Sequence, residues 1–582
     1  MPADKETVYP SANELVENKV ASRIQAKDAT LYDFSENALE FGENFMGWAD
    51  LASNPPVKPK KIQKLADYFV KSGFKTAVLI GQGGSTQASM TMTKFVKDDN
   101  PRMAFRTMDS DSPVRLREML AACDLKKTLV IVSSKSGGTL EMRVMLAAIR
   151  DVFLAQMSKK EFRSHLVAIT DPGSPLEARA EKERWAAILP GEPTVGGRFS
   201  ALSTFGLFPA ALVGIDMKSF MKRAKAAERR CSEDSLDNPA IQLGAFMYDN
   251  YKAGRDKIAF VTQKRGRVLG LWTEQLVAES TGKDGQGILP YIEIDPLLLA
   301  EDAGDRVIVT YRTEPEGSDE LRDFEMGLSI INPDIPRMDF RLDTVEDFAE
   351  HFLMWEYATA MCGYLMQVCP FDQPDVASAK ARVLEIFEQG LPDPDFTDTF
   401  LGDIDFGTAK VHVSSCCAEA TTIREALKDL FASAEPGDFF AVNAYLPFTG
   451  SGRREALEAI RYTVAVHSGM ASCLEIGPRF QHSTGQLQKG GPSTGVFLII
   501  SAEEPEDVEV TGEPADSLGA LAEAQATGDA LTLAERGRRC LHLHLPTNSA
   551  VVLRHLANTI DELLVEIEQE RAQELAEEQA ED

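Results

Sequence analysis

A chain of 582 residues is too long for one hydrophobic core and predicts two or three domains. Its 44% hydrophobic and 26% charged content is that of a globular protein, not a disordered or fibrous one. The formal net charge of −29 excludes nucleic-acid binding, which needs a basic face, and requires any anionic substrate to be held by a local patch of cations and backbone N–H groups.

The N-terminus, MPADKETVYP, lacks a signal pattern, and no apolar run approaches membrane-spanning length, so a soluble, unexported protein with no membrane partner is expected. The eight cysteines show no CxxC spacing, and Cys416 and Cys417 are adjacent, which suggests neither a zinc site nor a disulfide framework and fits a reducing cytoplasm. Residues 1–55 read as a partly helical arm, and the Pro-rich, basic stretch Asn54 to Lys61 reads as a hinge into the first lobe.

That lobe, 56–235, carries two strand–loop–helix units. The strand TAVLI, Thr76 to Ile80, runs into GQGGST; the strand TLVIVSS, Thr128 to Ser134, runs into KSGGTLE. Each loop places glycines and hydroxyls where a helix begins and its first N–H groups lack partners, which makes each a candidate phosphate cradle, Gly84, Ser85 and Thr86 in the first and Ser134, Lys135, Ser136 and Thr139 in the second. Either loop alone also suits an ordinary βα turn with capping hydroxyls. Further strands around Leu166 to Asp171 and Ala186 to Pro190 complete the pattern of a doubly wound parallel sheet, whose ligand crevice lies at the carboxyl ends of its strands.

Next comes VGGRFSALSTFGLFPAALVGID, Val195 to Asp216, where Arg198 sits between a glycine pair and an aromatic ahead of a buried helix. A second α/β lobe, 236–395, opens with KIAFVTQ and continues into WTEQLVAESTGKDGQGILP. Here Glu279 ends an apolar helical stretch, a placement that partly desolvates a carboxylate and suits a general base. The apolar helix Val345 to Val368 leads into CPFDQPDVASAKAR, with Gln373 and Lys380. A third α/β lobe, 396–560, has strands near Ala409, Asp438, Thr494 and Arg539. It contains GPRFQHSTGQLQKGGPSTG, read as a polar, ligand-facing loop with His482. His542 and His544 alternate along a strand and share a face. Residues 561–582 read as a glutamate-rich helical tail.

SSKSGGTLE resembles the phosphate loop of sugar-isomerase (SIS) domains, and together with GQGGST, VGGRFS, the Glu279 segment and FDQP it is similar to the phosphoglucose isomerase family over roughly residues 60 to 390. The third lobe resembles the end of the isomerase half of fused transaldolase–isomerase proteins. The resemblance implies two doubly wound SIS lobes plus a C-terminal α/β lobe, and an enzyme that interconverts glucose 6-phosphate and fructose 6-phosphate. It implies Glu279 as the base, Arg198 as the stabiliser of the enediolate, Lys380 as an aid to ring opening, and Gln373 as a substrate contact; His482, the histidine of the polar Gly477 to Gly495 loop, is the local candidate for the ring-opening acid. No metal or redox cofactor is implied; a homodimer and a functional link to transaldolase stay open. The family's ring-opening histidine is absent from its usual place, since the only histidine between Glu279 and Lys380 is His351, inside the apolar helix. A non-catalytic sugar-phosphate-binding regulator, or an isomerase of a related sugar phosphate, is the alternative.

Overall fold

The β-branched runs of the sequence form three separate sheets in the computed structural model, which describes residues 9–96, 102–401, 404–416, 419–448 and 452–581; Cys417 lies outside them. Two compact units are built from the chain, one from residues 1–109, 120–374 and 482–491, the other from 110–119, 375–481 and 492–582.

The first unit holds both SIS-type sheets. Strands β1 (Thr76–Ile80), β2 (Ala104–Met108), β3 (Thr128–Ser133), β4 (Leu166–Thr170) and β5 (Ala187–Pro190) form an all-parallel sheet in the order β2-β1-β3-β4-β5. Strands β6 (Lys257–Thr262), β7 (Leu289–Glu293), β8 (Arg306–Arg312) and β9 (Arg337–Arg341) form a second parallel sheet, β7-β6-β8-β9. The central strands are buried along their length, as parallel strands covered on both faces must be, which is why they read as unbroken apolar runs. The helix Phe348–Met366 is buried around nearly its whole surface and packs on the helix Pro239–Lys252.

Residues 9–55 are not the peripheral arm that their mixed composition predicts. Ala12, Leu15 and Trp48 are fully buried and belong to the same apolar core as Phe199, Trp272 and Trp355. The Trp48 ring stacks on Phe199 with centroids 4.9 Å apart, so this segment supports the loop that carries Arg198. Mixed polarity in short helices conceals such a role, because only one stripe of each helix faces inward.

In the second unit, β10 (Phe396–Leu401), β11 (Ile404–Ser414), β12 (Phe439–Tyr445), β13 (Ala471–Ile476), β14 (Gly495–Ala502) and β15 (Arg539–Leu545) form a mixed sheet, β10-β11-β15-β14-β12-β13. The last four positions of that order are parallel, and β11 pairs antiparallel with both of its neighbours. His542 and His544 share a face of β15 and are bridged by the Ser501 hydroxyl, 2.9 Å from a ring nitrogen of each. The predicted acidic tail is the second half of a single helix, Ala550–Glu581, anchored by buried Leu553, Leu556, Ile560 and Leu563. Among the described residues no helix is long and apolar enough to cross a membrane.

Candidate active site

The site lies in the first unit, at the carboxyl edge of the five-stranded sheet. Because β1 and β3 are adjacent and in register, the loops that leave their ends lie side by side. The Ser133 hydroxyl donates to the Ser85 carbonyl at 2.9 Å and joins them. Each loop opens a helix, Gln87–Phe95 after the first and Leu140–Leu154 after the second. In the second loop Ser134 Oγ lies 3.0 Å from Thr139 Oγ1 and accepts from the Gly137 N–H, while Ser136 Oγ accepts from the Gly138 N–H. These hydroxyls preform the turn. Lys135 is not left as a bare cation for an anion: its Nζ pairs with Asp171 and donates to the Pro193 carbonyl at 2.9 Å. Burial pushes the Asp171 carboxyl up, and Lys135 opposes that shift.

Glycine is required where the first loop meets its neighbours. A Cβ on Gly84 would stand 2.0 Å from the Gly197 carbonyl oxygen, so the GQGGST loop and the GGRFS loop touch backbone to backbone. Gly83 has φ +54°, and a Cβ there would come within 2.8 Å of His482 Cβ.

Contact with Gly84 fixes the start of the short turn Gly197–Phe199, from which Arg198 points inward at 3% exposure. Its guanidinium is fully engaged. Nε donates to Ser280 Oγ at 2.8 Å, Nη1 to Gln373 Oε1 at 3.0 Å, and Nη2 to the carbonyls of Pro370 and Asp372 at 2.7 and 2.8 Å. Nη1 also lies 3.2 Å from Glu279 Oε1. Glu279 stands on the last turn of the helix Arg267–Thr281, and its other oxygen accepts from Gln275 Nε2 at 3.1 Å. Carboxylate and guanidinium are thereby held in a fixed mutual orientation.

Gln275 Nε2 also donates to the His482 carbonyl at 2.7 Å, and His482 Nε2 lies 3.0 Å from Glu141 Oε1. A carboxylate on one ring nitrogen fixes which nitrogen carries the proton. The stretch around His482 is not the open polar loop its composition predicts. Residues Gly485–Gly490 form a short helix with Gln486, Gln488 and Lys489 buried, and Gln486 Nε2 donates to the Gly282 carbonyl at 2.9 Å. A segment dense in Gly, Gln and Ser reads as a loop because nothing in it is apolar enough to announce burial; here hydrogen bonds to the Glu279 helix replace apolar packing.

With this geometry in place, comparison with known proteins is informative. A family model described as phosphoglucose isomerase matches residues 68–288. The glucose-6-phosphate isomerase of Mycoplasmopsis pulmonis is 28% identical over 422 residues, covering 65% of this chain and 98% of that protein. The probable glucose-6-phosphate isomerase of Methanococcus maripaludis is 30% identical over 361 residues, covering 55% of this chain and 80% of that protein. The chain belongs to the phosphoglucose isomerase family. Among solved structures, a glucose-6-phosphate isomerase from Chlamydia trachomatis matches with a TM-score of 0.56 at 17% identity, over 66% of this chain and 86% of that one, a likeness of fold.

For a member of this family, the structure brings together Arg198, Glu279, Gln373 and His482 and sets the two cradle loops beside one another. Lys380 is exposed on the helix Val376–Gln389, which belongs to the second unit. Sequence reasoning missed Glu141, Gln275, Ser280 and Lys283. Ser280 and Lys283 were visible as neighbours of Glu279 in the ESTGK string, and Gln275 one helical turn before it; Glu141 carried no signal beyond its place at a helix start. Among the described residues no group of His, Cys, Asp and Glu is arranged to hold a metal ion.

Proposed function

We propose that the chain interconverts glucose 6-phosphate and fructose 6-phosphate through an enediolate. The observation that carries this reading is the buried Arg198–Glu279 pair, a carboxylate and a guanidinium 3.2 Å apart on a prebuilt scaffold. Glu279 takes the proton from C2 of the open-chain aldose and returns it to C1, so oxidation at one carbon balances reduction at its neighbour without an external electron carrier. The negative charge that develops on the enediolate oxygens falls beside Arg198, whose position is already fixed, so little reorganisation opposes the step. His482, oriented by Glu141, moves the proton between ring oxygen and anomeric hydroxyl that ring opening requires.

The phosphate is assigned to the N–H groups and hydroxyls of the Gly84–Thr86 and Ser134–Thr139 loops. Lys380, a homodimer and a link to transaldolase enter on sequence resemblance alone, and a cytoplasmic setting on the cysteine pattern. The test is a coupled assay of fructose 6-phosphate conversion to glucose 6-phosphate by the purified chain, with Glu279→Gln as control. Turnover by the parent chain that the variant lacks is expected; an inactive parent chain that still binds the sugar phosphate would leave a binding protein instead.

A further inference from the structure

Arg198 is held by a turn that it does not build, and Glu279 lies 3.2 Å from the guanidinium held there. Residues Cys369 to Gln373 present five acceptors inward: the carbonyls of Cys369, Pro370 and Asp372, the Asp372 carboxylate and the Gln373 side-chain oxygen. Arg198 takes the Pro370, Asp372 and Gln373 oxygens. The others are taken by Lys283, whose Nζ donates to the Cys369 carbonyl at 2.6 Å, the Asp372 carbonyl at 2.8 Å and Asp372 Oδ1 at 2.5 Å. The Asp372 carbonyl thus accepts from both cations. The second carboxylate oxygen, Oδ2, accepts from Asn37 Nδ2 at 2.7 Å, so the acid is fully occupied.

Lys283 is 2% exposed and Asp372 4%. Placing an ammonium there is costly: burial pushes Lys283 down, the neighbouring Arg198 adds to the shift, and Asp372 opposes it. A buried ion pair of this kind is a weak source of stability, since apolar residues of similar volume often do as well or better. What an apolar pair would not supply is geometry. Lys283 follows Glu279 by one helical turn, just beyond the helix end at Thr281, and ties the chain that carries the base to the turn that carries the arginine's acceptors. It also occupies the Asp372 carboxylate, which stands on the same turn as the arginine's acceptors.

We infer that Lys283 is a positioning residue for the isomerisation: by clamping the Cys369–Gln373 turn, it keeps the Arg198 guanidinium on Glu279. The inference rests on the proposed roles of Glu279 and Arg198. Lys283 itself touches no reacting atom.

The test compares the parent chain with Asp372→Asn, with Lys283→Met/Asp372→Asn and with Glu279→Gln, measuring kcat and KM separately. Asparagine keeps an acceptor for Asn37, and the double variant leaves no unpaired buried charge. Misplacement of a catalytic group by about 1 Å costs on the order of a hundredfold, so the double variant should lose about ten- to a hundredfold in kcat with KM within about twofold. Asp372→Asn, which leaves Lys283 on the Cys369 and Asp372 carbonyls, should keep kcat within about threefold of the parent. A folded double variant with kcat within about twofold of the parent, on the order of assay error, overturns the inference. So does a loss shared equally by kcat and affinity, the result of a merely structural role. Should the double variant not fold, a loss of more than about tenfold in kcat for Asp372→Asn overturns it instead, because Lys283 and its two carbonyls are still in place there. An active Glu279→Gln variant would instead remove the underlying reading of the base.

Discussion

Replacing Arg198 by lysine keeps the charge and removes the geometry, which makes it the most informative perturbation of the site. The guanidinium spends its donors on Ser280, Gln373, Pro370 and Asp372 and still lies 3.2 Å from Glu279. An ammonium has three donors on one atom and cannot span acceptors on opposite sides of the pocket. The Asp372 carbonyl would keep Lys283, and Ser280 could turn its hydroxyl, so the Pro370 carbonyl is the acceptor left stranded. An unpaired buried carbonyl costs about 1–3 kcal/mol of stability. Losing a preorganised donor from a site of developing negative charge costs about 2.7–4 kcal/mol of transition-state stabilisation, or about a hundred- to a thousandfold in kcat. Arg198→Lys should therefore turn over fructose 6-phosphate at least about a hundredfold more slowly in the coupled assay while unfolding cooperatively in denaturant at modestly reduced stability. Activity within about threefold of the parent would show that the multidentate fit is irrelevant to the chemistry and would refute the reasoning.

Other outcomes follow from neighbouring contacts. Glu279→Gln should abolish turnover and leave sugar-phosphate affinity nearly intact by calorimetry, because the amide preserves shape but cannot accept the C2 proton. His482→Ala should slow conversion of the cyclic sugar by about a hundredfold and that of an open-chain substrate much less; equal losses would return the histidine to a structural role. Gly84→Ala forces the two loops apart at the 2.0 Å contact with Gly197 and should cost activity more than it lowers the melting temperature. In the second unit, Glu504 is pushed up from 4.5 to about 7, chiefly by burial and then by Asp507, against Asn548 and Arg453. Its folded state favours the neutral form, so its contribution to stability is complete below pH 4.5 and is lost as pH rises through about 7. Glu504→Gln should accordingly raise the melting temperature at pH 8 and leave it unchanged at pH 4, as read by thermal unfolding at the two pH values.

Much of the first unit was legible because parallel strands buried on both faces must be apolar along their length, and β1 and β6 begin at the residues their runs predict. Strand β9, with a half-exposed pattern and three charged residues, gives no such run and escapes notice. In the site, strings that combine glycines with a charged residue announced Arg198 and Glu279, since close backbone approach leaves a compositional trace. What the sequence could not convey were contacts made across long separations. Glu141 meets His482 over 341 residues, and Asn37 meets Asp372 over 335, with no local pattern to mark either end. The Lys135–Asp171 pair, 36 residues apart, is of the same kind.

The ten residues His482–Gly491 belong to the first unit although the chain on either side of them belongs to the second. A ribosome that has released everything up to Pro374 has thus delivered both sheets of the first unit without the histidine and the short helix that finish it. Early domains ordinarily fold as they emerge, but this one must wait for more than a hundred further residues before its last piece is available. A fragment cut after Pro374 would contain Arg198 and Glu279, yet it would leave the Glu141 carboxylate and the Gln275 amide without their His482 partner. The ring-opening role proposed for His482 is in this way unavailable until synthesis has passed residue 482 of 582.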